Sequence, residues 1–157
     1  YRTKGKQMFL SSPQDYEYLR AMYKAGRVVV LRGDLTAKQT LASLGEVLKA
    51  QGRVIEVLYM SNTEQYFPYT PQFRANMLGL PMSDDAHVVR TRAWRTRPAE
   101  GQEKGNLYYA YLVQPFALWA QWLRHEPTTD VRQMLPWASR VKNRLFELKG
   151  IPGGKKK

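Results

Sequence analysis

Cysteine is absent from the 157 residues. That excludes disulfides, thiolate nucleophiles and cysteine-held zinc or iron–sulfur sites, and it suits oxidising and reducing compartments equally. The two histidines, His87 and His125, are far apart and carry no partner motif, so no metal site is expected. No apolar run approaches the ~20 residues that cross a bilayer, so no membrane span is expected. No segment after Tyr1 joins a charged start to an apolar middle, so no secretory signal is expected, and the compartment stays open. The first residue is Tyr rather than Met, which is what a trimmed or processed chain would show. G-x-G-x-x-G, Walker, G-x-S-x-G and H-E-x-x-H signatures are also missing. Acidic side chains are scarce, 13 Asp and Glu against 25 Lys and Arg, for a net charge of +12.

What is present suffices for one core. Hydrophobic residues make up 43% and charged residues 24%, which excludes wholesale disorder. Residues 1–150 are read as a single α/β domain and 151–157 as a basic flexible tail. Half of the net charge sits at the ends, on Arg2, Lys4, Lys6, Lys155, Lys156 and Lys157. Arg90, Arg92, Arg95 and Arg97 add four charges in one segment. Such charge attracts polyanions through counterion release; terminal lysines also simply keep a chain soluble.

Ser12, Pro13 and Asp15 mark a helix start, and Gly26 a stop. The apolar run Val28-Val29-Val30-Leu31 suits a strand buried on both faces of a parallel sheet. Thr36 with Gln39 forms a capping box, and Leu41, Leu44, Val47 and Leu48 form a helical stripe closed by Gly52. Val54 to Met60 is a second strand, so Val28 to Met60 is expected as a parallel βαβ unit. Ser61 to Pro71 is a loop, Phe73 to Leu80 a short helix and Asp84-Asp85 a turn. His87 to Arg95 and Leu107 to Gln114 alternate as strands, and Thr96 to Asn106 joins them into an antiparallel arm. A helix opens at Pro115, and a last one is expected from Pro136 to Lys149, with Trp137, Val141, Leu145 and Leu148 on one face.

Ligands of open parallel sheets bind beyond the carboxyl ends of the strands. That selects Gly33 and Asp34 after the first strand, and Ser61, Asn62, Glu64 and Gln65 after the second, as candidate ligand contacts. Asp34, Glu64 and Tyr66 are the candidate catalytic groups. The same residues also serve ordinary loop bracing, and both readings stand. Arg90 and Arg92 fall on one face of their strand with Trp94. With Arg95 and Arg97 they suit a polyanion site, where Tyr109 and Tyr111 would stack on bases. The alternative is a sheet edge guarded by charge.

Phe9-Leu10-Ser11-Ser12, Val28 to Leu35, Leu58-Tyr59-Met60-Ser61-Asn62-Thr63-Glu64-Gln65-Tyr66, Phe73-Arg74-Ala75-Asn76 and Leu80-Pro81 resemble an uncharacterised bacterial family of hypothetical proteins, spirochaetal and myxobacterial among others. Tyr108-Tyr109-Ala110-Tyr111-Leu112-Val113-Gln114-Pro115 is similar to its aromatic strand. The resemblance spans roughly residues 8 to 120. It implies a Rossmann-like fold akin to S-adenosylmethionine-dependent methyltransferases, with this chain matching the C-terminal half. S-adenosylmethionine would then belong to a longer protein, and no cofactor is assigned to this chain. A degenerate or fragmentary methyltransferase is one functional expectation. A non-catalytic module for nucleic acid or another polyanion is the other. A missing N-terminal half or a second copy of the chain is the expected completion of the sheet.

Overall fold

A computed structural model describes residues 12–95, 107–142 and 144–154. The chain divides into two compact units, Tyr1–Gly33 and Asp34–Lys157.

The first unit is built on helix α1 (Pro13–Lys24). Ser12 caps it by accepting from the Asp15 backbone N–H at 3.0 Å, and Pro13 occupies the first turn, as expected. Its end is a Schellman motif: Arg27 N–H donates to Met22 O and Gly26 N–H to Tyr23 O, with Gly26 at φ +65°. No residue of α1 is buried. Val28 to Leu31 forms no strand, and Val30 is 81% exposed. This corrects the expected βαβ unit. A strand exists only through a hydrogen-bonded neighbour, and four apolar residues do not supply one.

In the second unit, Asp34 Oδ1 accepts from both the N–H and the hydroxyl of Thr36 at 2.7 Å. That local turn replaces the expected capping box, because the side chain of Asp34 satisfies the backbone first. Helix α2 (Thr40–Ala50) therefore starts later, with Gln39 as an N-cap that makes no side-chain bond. It closes in a second Schellman motif, with Gly52 at φ +62° and Arg53 N–H on Leu48 O.

Five strands follow in one open, partly parallel sheet of order β1-β2-β3-β5-β4. They are β1 (Ile55–Ser61), β2 (Met82–Arg95), β3 (Leu107–Pro115), β4 (Ala138–Lys142) and β5 (Leu145–Leu148). Strands β1 and β2 pair in parallel across helix α3 (Pro71–Leu78), so the chain's βαβ unit is β1-α3-β2, one element later than expected. Asp84 and Asp85, expected as a turn, continue β2. The antiparallel arm is formed as expected by β2 and β3, with Val89 opposite Val113 and Thr91 opposite Tyr111. Its connection, residues 96–106, lies outside the described residues.

Helix α4 (Phe116–Arg124) returns over the sheet. The expected final helix is instead a 3₁₀ segment, Val131–Trp137, followed by the antiparallel pair β4 and β5. One feature overrules the helical spacing: Leu145-Phe146-Glu147-Leu148 buries alternate residues, a period of two, between two hydrogen-bonded neighbours. Strand β5 also pairs in parallel with β3.

The core lies on one face of the sheet only. Met60, Val88, Ala110, Leu112, Phe146 and Leu148 point to it, and Leu41, Phe73, Met77, Trp119, Trp122 and Leu123 from the helices cover them. Phe67, Phe73, Phe116, Tyr69 and Trp119 meet there with ring centroids 5.0–6.4 Å apart. No described helix is long and apolar enough to cross a membrane.

Candidate functional site

Strand β1 ends in an irregularity. Tyr59 faces Val89 but Ser61 faces Arg90, so one extra residue is accommodated on β1. Ser61 adopts φ +49°, the one described non-glycine residue in the left-handed region. An L-residue there costs about 1–2 kcal/mol. The turn that follows, a 3₁₀ segment over Thr63–Gln65, is braced by Thr63 Oγ1 donating to Met60 O at 2.7 Å. Asn62 Nδ2 donates to the Tyr66 hydroxyl at 3.2 Å. The consequence is that Glu64 is turned into the protein, 4% exposed.

There it meets Arg90, which is 2% exposed. Arg90 Nε donates to one carboxylate oxygen of Glu64, and the Tyr69 hydroxyl donates to the other. Arg90 Nη1 donates to Gln114 Oε1 at 3.1 Å, and the guanidinium lies 4.7 Å over the Trp119 ring. Trp119 Nε1 donates to the Tyr69 oxygen at 3.4 Å. Burial, and then the neighbouring Glu64 carboxylate, push the Tyr69 hydroxyl well above its ordinary pKa, so it stays a donor. Both oxygens of Glu64 are therefore occupied. Two donors are not: among the described residues, Arg90 Nη2 and Gln114 Nε2 are buried without a partner.

Arg90 lines a cavity of about 10 Å³ with Ser61, Asn62, Glu64, Gln65, Thr91, Arg92, Leu112 and Val131. That volume holds one water-sized group. Gln65 also lines an open cleft of about 210 Å³ with Tyr66, Phe67, Pro68, Thr129, Asp130 and Arg132. Arg92 and Arg132 sense each other: burial, and next the Arg132 cation, lower the Arg92 pKa, while Asp130 opposes the shift. Asp130 holds Arg132 through Nε and Nη2 at 3.1 and 3.0 Å.

The walls of the cleft are tied by Arg74. Its guanidinium donates to the carbonyls of Tyr69, Leu123 and Thr128, gathering the end of α4 and the 125–130 turn around the loop that carries Tyr69. Tyr69 N–H adds a bond to Thr129 O at 2.7 Å.

The structure thus brings together Ser61, Asn62, Glu64, Gln65, Arg90 and Arg92 of the expected site residues. Tyr66 is exposed at the cleft. Asp34 lines neither the inner cavity nor the cleft; the Thr36 hydroxyl, then the Thr36 N–H, hold its carboxyl below the ordinary value. Gly33 ends the first unit. The arginine strand requires a correction. Ala86, Val88 and Arg90 are the buried side of β2, and β2 lies between β1 and β3. Arg90 is therefore neither an exposed polyanion contact nor an edge guard. The Arg95 side chain and all of Arg97 lie outside the described residues. Tyr69, Arg74, Gln114, Trp119, Asp130 and Arg132 were not anticipated. Gln114 did leave a signal: it continues the inward parity of Ala110 and Leu112 on β3, where an apolar side chain belongs. Among the described residues no three His, Asp or Glu side chains gather as metal ligands.

Residues 1–151 match a family model described as "Domain of unknown function (DUF7790)". A search of curated proteins finds no match.

Proposed function

The chain belongs to this family of unknown function, and from that premise we propose that it is a non-catalytic binding module for a small anionic ligand. The site is the cleft beyond the carboxyl end of β1, beside Arg90–Arg92 of β2. The observation that carries the reading is Arg90, whose Nη2 donor is buried without a protein partner and whose side chain belongs to the lining of a cavity. An orphaned buried donor costs about 1–3 kcal/mol, which an incoming oxygen recovers. The inner cavity admits only the tip of a ligand, one oxygen of a carboxylate or phosphate. The body of the ligand occupies the outer cleft, between Gln65, Tyr66 and Arg132. Arg92 and Arg132 supply further positive charge, and the Asn62 and Gln65 amides supply neutral donors. Binding is favoured over catalysis because the one carboxylate in the cavity, Glu64, is committed to structural bonds with Arg90 and the Tyr69 hydroxyl.

Thermal-shift titration tests this with phosphate, acetate, nucleoside monophosphates and S-adenosylhomocysteine. Ligand at 100 times its dissociation constant adds about 2.7 kcal/mol, or roughly 5–10 °C in midpoint for a chain of this size. The shift falls with added salt and is lost when Arg92 and Arg132 are both changed to Ala. No shift with any anion, or an equal shift in the double variant, refutes the reading. A shift confined to S-adenosylhomocysteine moves the assignment back towards the methyltransferase-like expectation.

A further inference from the structure

We infer that the uncovered face of the sheet is a binding surface for single-stranded nucleic acid, with Tyr59, Tyr109 and Tyr111 as its stacking platform. This face is opposite to the one that buries Arg90, so the inference does not depend on the cleft. The described helices of the Asp34–Lys157 unit contribute Leu41, Phe73, Met77, Trp119, Trp122 and Leu123 to the core on the other side, with Val88 and Leu112 of the sheet. Strand alternation sends the odd-numbered residues of β2 and β3 outward. Tyr59 is 57% exposed, Tyr109 53% and Tyr111 48%, and Val57 is exposed beside them.

A patch of this kind on a soluble chain marks a contact surface. Its chemistry selects the partner. Tyr109 and Tyr111 are alternate residues of one strand, so their side chains stand about 7 Å apart, and β1 carries Tyr59 two strands over and level with Val113, about 12 Å from Tyr111. Separate rings, each with an open face, suit bases that are already unstacked; a duplex hides its base faces. Lys142 is exposed in the row of Tyr111, opposite Leu145, which is itself opposite Tyr111. The whole chain carries +12, with a sequence pI of about 10.0. That charge draws a phosphate backbone in and opposes a second copy of the same chain on the same face.

Fluorescence anisotropy of labelled 12-nucleotide oligo-dT and oligo-U, against a duplex of equal length, tests the inference. The single strands bind more tightly than the duplex. Changing Tyr59, Tyr109 or Tyr111 singly to Ala weakens single-strand binding by about fivefold to a hundredfold, the range of one lost base–aromatic stack. The matching Tyr→Phe changes keep the ring and hold affinity within about twofold. Tyr18→Ala, an exposed tyrosine of α1, serves as the control and changes nothing. Circular dichroism confirms that each variant is folded. Equal affinity for duplex and single strand, with all three Ala variants binding like the parent, overturns the inference and leaves charge alone. Light scattering that shows a dimer broken by the same Ala variants also overturns it, and assigns the face to a second copy.

Discussion

Changing Arg90 to Met removes the cation that is paired with the buried Glu64 carboxylate. The side chains are 2% and 4% exposed, so neither charge has water to fall back on. Breaking a buried pair by removing one partner costs about 3–5 kcal/mol, because the other charge stays buried and uncompensated. Gln114 Oε1 loses its donor as well, about 1 kcal/mol more. Methionine keeps most of the apolar contact with Trp119, so no large cavity is added. The sum is about 4–6 kcal/mol. At roughly 2–4 °C per kcal/mol for a chain of this length, the midpoint falls by about 8–24 °C. The assay is a double-mutant cycle read by urea unfolding: Arg90→Met, Glu64→Leu and the pair together. Each single variant strands one charge, and the pair strands none. The double variant therefore costs no more than Arg90→Met alone, a coupling of about 3–5 kcal/mol, the cost of one stranded charge. Additive losses, or an Arg90→Met cost below 1 kcal/mol, refute the buried-pair reasoning and with it the geometry on which the cleft rests.

Ser61 holds φ +49° without a glycine's freedom. Ser61→Val places a β-branched side chain in that region and costs about 1–3 kcal/mol in urea unfolding, while Ser61→Gly is neutral or slightly stabilising; equal effects of the two would show that the backbone there carries no strain. Tyr69 gives a pH signature. Its folded pKa is raised, so the neutral form is favoured on folding; stability is full below the ordinary tyrosine value and declines as pH rises from about 10 towards the folded value. Tyr69→Phe loses about 1–2 kcal/mol at neutral pH, because Glu64 loses a donor, but its stability falls less steeply above pH 10. Parallel alkaline curves for the two proteins would refute the assignment.

The local elements were legible where the signal was chemical and short-range. Ser12-Pro13 before α1, and Gly26 and Gly52 after their helices, act on the three or four residues beside them, and the structure uses each in that way. The loop Ser61–Tyr66 was legible as a site for a related reason, since a polar stretch after a strand has few other places to go. Elements defined by a partner were not. Val28–Leu31 reads as a strand by composition, yet it forms none. Residues 145–148 read as a helix by spacing, yet β3 and β4 flank them and make them a strand.

By itself, then, the sequence determined composition, charge, both ends of α1, the end of α2, the β2–β3 arm and the polar loop at the end of β1. These depend on neighbours along the chain or on simple alternation. Only the tertiary structure decided which face of β2 is inside. Alternation put Arg90 and Arg92 on one side, but it does not say which side the helices cover. Because α4 packs over that side, Arg90 became the buried partner of Glu64 rather than a surface charge, and Tyr109 and Tyr111 were left facing out. Sidedness is a property of the packed layers, and no single strand contains it.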